Sequence, residues 1–364
     1  MANRQNIYYW KCDRPNAFVT LGKEDEQAAK ELIPYIEALC IDFFGNSQFE
    51  ITKAFGQGNH QNFIAYNSGE KYFIRIENSN DNDEYMVVES EIISQVNGLS
   101  IPVPHIFKVD CSRKQYPFAY QIMETLKDPD VNSYYKQGEL ETSSIMFQLG
   151  RYIAMWQNIS FDGFGLFDSN YVLSDMKLRG LYPRYRDYYF QNLDTHLNFL
   201  KNHGFLSSRF VDEIFQAIIN NSAYLDLERG CLVHKDIAFW NIIGTPTNIS
   251  AIIDWDDAIA GDPTDDISLM ACFHSWEELK PLIMGYEDFR ELPAHFEKRF
   301  WLHFLRNMIF KSVIRVGAGY FNKSKDFFLI GTSNSMSKGL ADFTMQKIND
   351  AYQGLVGNKQ INDL

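Results

Sequence analysis

The chain has 364 residues, 45% hydrophobic and 15% aromatic, enough to bury a sizeable core as one large domain or two modest ones. Its 47 acidic residues outnumber its 34 basic ones by 13, a balance that disfavours nucleic acid or an anionic membrane as the main partner and leaves cationic small molecules admissible. Five cysteines (Cys12, Cys40, Cys111, Cys231, Cys272) are scattered without a CxxC pair, which argues against a zinc site or a disulfide framework and fits core thiols in a reducing cytoplasm.

Apolar residues at helical spacing between Glu24 and Phe44 (Ala28, Leu32, Ile33, Ile36, Leu39) predict an opening helix that ends before Gly45. The period then changes. Residues 49–51, 62–66 and 71–76 read as three antiparallel strands separated by glycine-bearing turns at Gly56-Gln-Gly58 and Ser68-Gly69. A helix over 84–96, the break at Pro102-Val-Pro104, and strands near 105–110 and 118–123 complete a sheet crossed by one helix. From about Thr142 the pattern is almost wholly helical, as in 146–157, 185–201, 208–225 and 296–318. One hairpin interrupts it, where the apolar runs 241–243 and 251–253 flank Gly244-Thr-Pro-Thr-Asn248. The polar tail from about Gly354 is expected to fray. The predicted class is therefore α+β, with an antiparallel sheet lobe over 1–125 and a larger, mainly helical lobe over 126–364.

The chemistry concentrates at the hairpin. In His234-Lys-Asp236-Ile-Ala-Phe-Trp-Asn241 an Asp and an Asn stand five residues apart just before the first strand, and Asp254 ends the returning one. Neighbouring strands lie about 5 Å apart, so Asn241 and Asp254 emerge side by side despite the 13 positions between them. Two hard oxygen donors at one place suit Mg²⁺, which takes its remaining ligands from water and phosphate. Asp236 would face the same spot, placed to accept a proton from an attacking hydroxyl or to orient it, as phosphoryl transfer requires. His234 reads as a brace for the loop backbone. Upstream, the turn with Gly56 and Gly58 can bring backbone N–H groups against phosphates.

Residues 234–268, HKDIAFWNIIGTPTNISAIIDWDDAIAGDPTDDIS, resemble the catalytic loop and metal-binding segment of the aminoglycoside phosphotransferase and choline kinase superfamily, including its iDW and GDPxxD elements. The resemblance extends over about residues 25–320 and implies a bilobal, protein-kinase-like fold. By that resemblance Asp236 is the catalytic Asp, Asn241 and Asp254 are the metal ligands, and Asp266 is a buried brace that fixes the catalytic loop. Asp256 is a substrate-side carboxylate or a helix cap, with Asp257 beside it. Tyr72-Phe-Ile-Arg75-Ile is similar to the strand that carries the family's nucleotide-phosphate cation, here Arg75, with Glu89 as its partner and Glu91 as the alternative. Residues 120–126 resemble the strand-to-hinge segment, where backbone groups of Glu124 to Leu126 would meet the purine. Two departures stand in the loop: Lys235 where the family usually has glycine, and Ala238 in place of a polar residue.

The expected activity is ATP- or GTP-dependent, Mg²⁺-assisted phosphorylation of a small-molecule hydroxyl, with an aminoglycoside-type antibiotic as first acceptor. A nucleoside, sugar or amino alcohol is the alternative, and a catalytically silent nucleotide-binding regulator is a third reading. A protein kinase is disfavoured, because Gly261-Asp262-Pro263 follows Asp254 with no APE-like segment. A polycationic acceptor calls for carboxylates in the substrate helices, and Asp187, Asp194, Asp256, Asp257, Glu277 and Glu278 are the candidates. The expected protein is cytoplasmic, a monomer or dimer, with neither nucleic acid nor membrane as partner.

Overall fold

The computed structural model describes residues 26–54, 60–78, 84–323, 329 and 339–364. Helix α1 (Glu26–Phe44) leads into β1 (Phe49–Lys53), β2 (Gln61–Asn67) and β3 (Glu70–Glu77), then α2 (Tyr85–Asn97), β4 (Ile106–Asp110) and β5 (Ala119–Glu124). The five strands form one antiparallel sheet of order β1-β2-β3-β5-β4. Alternation along the strands divides its two faces. Ile74 and Ile76 of β3 and Ile122 of β5 point to a core shared with Leu32, Ile36 and Leu39 of α1. The intervening Arg75 and Gln121, cross-strand partners, point to α2, where Gln121 Nε2 donates to Met86 O (3.0 Å) and Ser90 Oγ (2.9 Å). The alternation thus delivers one cation of the sheet to the face that meets the rest of the molecule.

After β5 come α3 (Val131–Gln137), α4 (Thr142–Trp156), β6 (Ser160–Phe161), β7 (Phe164–Phe167), α5 (Ser169–Asp175), β8 (Gly180–Tyr182), α6 (Tyr185–Phe190), α7 (Leu193–Asn202), α8 (Ser208–Asn221) and β9 (Gly230–Val233). The hairpin β10 (Ile242–Gly244) and β11 (Ile249–Ile252) follows, then β12 (Ile259–Gly261), α9 (Asp265–Ala271), α10 (Trp276–Glu287), α11 (Phe296–Gly317) and α12 (Leu340–Gly357).

Three expectations need correction here. The hairpin is not the sole β-structure beyond residue 142, because a second five-stranded antiparallel sheet runs in the order β6-β9-β12-β7-β8. Its strands are only two to four residues long, too short for an alternating pattern to declare itself. The helix expected over 185–201 is two, because Asn192 takes a left-handed φ of 59° between α6 and α7. The tail from Gly354 is docked rather than frayed: a Cβ on Gly354 would come within 2.2 Å of the Trp301 ring, Trp301 Nε1 donates to Lys359 O (2.8 Å), and Ile361 is buried.

The second sheet positions the chemistry. β9 ends at Val233, one residue before His234, and pairs with β12 so that Cys231 lies opposite Gly261. The register therefore sets His234 beside Ala258 and Gly230 beside Asp262, and α9, which follows Asp262, returns Asp266 to the backbone of His234 and Lys235. Tyr85 links α2 to the same region, its hydroxyl donating to Ala258 O (3.2 Å) and accepting from Phe167 N–H (3.1 Å). Further ties are Gly244 N–H to Pro129 O (3.0 Å) and Ile252 N–H to Pro102 O (2.9 Å). Cys40, Cys111, Cys231 and Cys272 are buried free thiols, and among the described residues no helix is long and apolar enough to cross a membrane.

Burial also sets an acid limb. His196 of α7 is buried near Arg306 and Phe310, and desolvation together with Arg306 holds its pKa down to about 3. Its folded pKa lies below the unfolded value of about 6.5, so the unfolded chain binds the proton first, and this contribution to stability is lost as pH falls from about 6.5 towards 3. Between pH 6 and 4 the wild type should lose up to about 3 kcal/mol more than His196→Leu, read from urea midpoints at each pH.

Candidate active site

Asp266 organises the loop that leaves β9. Its carboxylate accepts the backbone N–H of His234 (3.0 Å) and of Lys235 (3.0 Å) and the indole N–H of Trp156 (3.1 Å). Burial pushes this carboxyl up to about 7 against the pull of those donors. His234 is also buried, with its pKa held down to about 4 by desolvation, so the ring is neutral at pH 7. Its Nε2–H then donates to Ile253 O (3.0 Å) while Nδ1 accepts the Asp236 N–H (3.3 Å), and the ring lies 4.4 Å from that of Trp255. That tautomer makes His234 a strut between the loop and the returning strand of the hairpin.

Lys235 adopts φ 69°, a left-handed conformation open to glycine without strain and costing another residue about 1–2 kcal/mol. Its ammonium offsets that strain with bonds to both oxygens of buried Asp265 (2.7 and 2.9 Å) and to Asn307 Oδ1 (2.7 Å). Asp262, three residues before Asp265, is gripped by Arg299 Nε (2.7 Å) and His303 Nε2 (3.1 Å). The segment behind the loop is thus locked by α11.

At the front of the loop Asn241 donates from Nδ2 to Asp236 O (2.8 Å) and to Asp236 Oδ2 (3.1 Å), bonds that leave its amide oxygen unused. The Ile253 N–H donates to Asn241 O (3.0 Å), directly after the Ile242–Ile252 pair, so Asp254 follows next to Asn241 across the hairpin. Asp254 then turns the chain with φ 65°. Its side chain is 42% exposed, whereas that of Asp256 is 6% exposed, and each has an oxygen 3.5 Å from Arg75 Nη2. Desolvation and the Asp256 carboxylate push Asp254 up to about 8, opposed by Arg75. Burial likewise raises Asp236, opposed by Lys311, whose Nζ lies 3.4 Å from Asp236 Oδ1, and by Asn241.

Arg75 pairs with Glu89, Nη1 lying 2.8 Å from both carboxylate oxygens, while Glu91 accepts instead from Gln95 Nε2 (2.9 Å). Arg75 Nε donates to His60 Nδ1 (3.0 Å), a contact the sequence reading missed. Glu89 is buried, and replacing its partner strands a carboxylate. Arg75→Met should cost about 3–5 kcal/mol in urea unfolding, and Glu89→Leu added to it should restore most of the loss.

The other sequence-selected residues are more dispersed. Gly56 and Gly58 lie outside the described residues. Glu124 ends β5 and is exposed, its N–H donating to His105 O (2.9 Å) and its Oε2 accepting the His105 N–H (3.2 Å), with Leu126 half-buried beyond it. Asp256 is buried and Asp257 half-buried. Asp187 pairs with Arg184 (2.7 Å), Glu278 accepts from Tyr135 Oη (2.7 Å) and the Ser275 N–H (3.2 Å) as a helix cap, and Asp194 and Glu277 are exposed. None of the bonds described joins these four to Asp236.

The donor set at Asn241 and Asp254 fits Mg²⁺: one amide oxygen, one partly exposed carboxylate, and no soft ligand. Among the described residues no three His, Cys, Asp or Glu side chains are grouped to hold a metal by themselves, so most ligands would come from water and phosphate. Sequence reasoning also missed Lys311 and Asn307. Their signal was polar residues four apart, Asn307, Lys311 and Arg315, inside a helix otherwise apolar on most sides.

Residues 52–300 match the family model described as the phosphotransferase enzyme family, APH. The chain belongs to that phosphotransferase family. No curated protein matches this phosphotransferase by sequence. Its fold is shared with a thermostable mutant of aminoglycoside phosphotransferase APH(4)-Ia, solved with AMP-PNP and hygromycin B, at 15% identity and a TM-score of 0.61, covering 88% of this chain and 99% of that one. A protein assigned as a fructosamine-3-kinase from Haemophilus somnus matches at 13% identity and TM-score 0.57, covering 87% and 96%. The streptomycin–ATP complex of APH(2")-IIa matches at 15% and 0.53, covering 92% and 99%. The architecture of this phosphotransferase is accordingly kinase-like, an antiparallel sheet lobe beside a larger part rich in helix.

Proposed function

We propose that the protein transfers the γ-phosphoryl group of ATP or GTP to a hydroxyl of a small molecule, with Asp236 as the catalytic carboxylate. The observation that carries this reading is the Asn241 side chain, which holds Asp236 through its nitrogen, on the residue whose backbone carbonyl accepts from Ile253 directly before Asp254. The acceptor oxygen forms a bond to the γ-phosphorus as the bridging P–O bond to the β-phosphate breaks. Asp236 orients the hydroxyl and takes its proton, and the nucleoside diphosphate leaves. Asn241 Oδ1 and the Asp254 carboxylate would hold Mg²⁺, which when bound neutralises phosphate charge. Arg75, fixed by Glu89, supplies a permanent positive charge for the nucleotide phosphates.

In this reading residues 1–125 take the nucleotide, with Gly56 and Gly58 at its phosphates and the backbone of Glu124 to Leu126 at the purine. Residues 126–364 carry catalysis and the acceptor, His234 and Asp266 brace the loop, and Asp256 and Asp257 lie on the acceptor side. The reaction runs in the cytoplasm. Structural neighbours hold hygromycin B and streptomycin, which puts aminoglycosides first among acceptors to try, with nucleosides, sugars and amino alcohols next. The test is Mg²⁺-dependent nucleotide consumption and product mass across that panel. A phosphorylated product supports the reading, and tight nucleotide binding without turnover on any acceptor supports a regulator instead.

A further inference from the structure

Asn307, Lys311 and Arg315 recur every four residues on α11 and so share one face, with about 6 Å between successive positions along the axis. Asn307 bonds Lys235 and Asp265 behind the catalytic loop. Lys311 comes next, its ammonium 3.4 Å from Asp236 Oδ1 and 5.0 Å from the Phe273 ring centroid. Arg315 is 2% exposed, and its hydrogen bond runs from Nη1 to Thr344 Oγ1 (2.8 Å), with no carboxylate of the described residues in an ion pair with it. Burial accordingly holds its pKa down to about 10.

A third cation joins them from α12. Lys347 is buried, donates to His274 O (2.6 Å), and lies 5.7 and 5.8 Å from the ring centroids of Phe304 and Phe343. Asp350 and Glu278 act on it without forming an ion pair. Lys311 lies over the ring of Phe273 while Lys347 bonds the carbonyl of His274, and Arg315 bonds Thr344, three positions before Lys347 on α12, so the three cations gather at the turn after α9. A buried cation is costly unless an anion compensates it, and among the described residues the one carboxylate in an ion pair with any of the three is Asp236, the group assigned to the acceptor hydroxyl.

We propose that Lys311, with the positive field of Arg315 and Lys347 behind it, is an anion subsite for the acceptor, so that the molecule phosphorylated is a hydroxyl compound bearing a phosphate or carboxylate group. This rests on the reading of Asp236 as the residue that receives the acceptor hydroxyl. Lys311 is then a specificity-determining residue. A polycationic aminoglycoside would bring ammonium groups to this face, and of the six candidate carboxylates Asp187 and Glu278 are already engaged by Arg184 and Tyr135. The acidic net charge of the whole chain does not decide the matter, because Lys311 lies 3.4 Å from Asp236, well inside a Debye length of about 8 Å.

The experiment has two arms on the full chain, each with wild type, Lys311→Met and Lys311→Arg. In the first, kcat/KM is measured with nucleotide and Mg²⁺ on matched acceptors: neutral sugars, the same sugars bearing a phosphate or a carboxylate, and aminoglycosides. The expected result is preference for an anionic member, a loss in Lys311→Met about 100-fold greater on that member than on its neutral counterpart, whose own loss reports the Lys311–Asp236 contact, and partial rescue by Lys311→Arg. Phosphate against carboxylate within the panel identifies the anion. Equal loss on every acceptor would assign Lys311 to the transferring phosphoryl group and overturn the proposal, as would efficient turnover of aminoglycosides. The second arm titrates inorganic phosphate into the AMP-PNP-saturated protein and reads Tm, with stabilisation expected in wild type and absent in Lys311→Met. Phosphate stabilisation without turnover would sink the kinase reading and leave the anion subsite standing, whereas no stabilisation in wild type would sink the subsite. Lys311→Gln replaces the methionine variant if that chain does not fold.

Discussion

Asp236→Asn should lower kcat by about 10²–10⁴-fold while leaving nucleotide affinity close to wild type. The substitution preserves shape, and the bond from Asn241 Nδ2 to the Asp236 backbone carbonyl does not involve the altered group. What is lost is a carboxylate able to accept the hydroxyl proton. Lys311 loses its ion-pair partner as well, so thermal stability must be followed alongside turnover. A variant that keeps kcat within tenfold of wild type would mean that the acceptor proton leaves by another route, and the role assigned to Asp236 would fall.

The largest structural effect is expected at Asp266. Asp266→Ala removes the acceptor of three N–H donors, two from the backbone of the loop after β9 and one from Trp156. Each buried donor left unpaired costs about 1–3 kcal/mol, so a loss of about 3–5 kcal/mol is expected, a large share of the roughly 5–15 kcal/mol that holds a domain together. Asp266→Asn, whose amide oxygen still accepts, should lose about half as much. Urea unfolding measures both. Because His234 and Lys235 directly precede Asp236, turnover should fall in the alanine variant even where it remains folded, and a cost below about 1 kcal/mol would show that the loop is held by other bonds.

The fold was legible where its pattern is local. The sheet β1–β5, α1 and α2 each carry a periodic run long enough to identify by itself, and the structure places them where the periodicity does, within a few residues. The second sheet was hidden because its shortest strand has two residues and its members come from five places between Ser160 and Gly261. Nothing in a two-residue segment records its partner. The split between α6 and α7 was missed because apolar spacing runs through Asn192, whose left-handed backbone decides the turn. The tail was misjudged because one apolar residue, Ile361, and the glycine contact of Gly354 with Trp301 outweigh its polar composition.

The candidate site followed the same division. Asp236, Asn241 and Asp254 fall in one short stretch, and a hairpin is enough to gather them. The choice between Glu89 and Glu91 needed the helix face, which the burial of Glu89 fixes. Lys311 stands 75 positions after Asp236 and meets it through the packing of α11 against the loop after β9, a relation that spacing along the chain does not encode. Lys235 shows a local rule broken and then compensated: a left-handed position filled by lysine is held by Asp265 and Asn307, the latter supplied by α11.

The most direct test of the central claim follows the label from γ-³²P-labelled nucleotide incubated with the protein, Mg²⁺ and the acceptor panel. The account predicts label in an organic phosphate ester, formed by wild type and not by Asp236→Asn. Label recovered only as inorganic phosphate, or equal ester formation by both proteins, would contradict it.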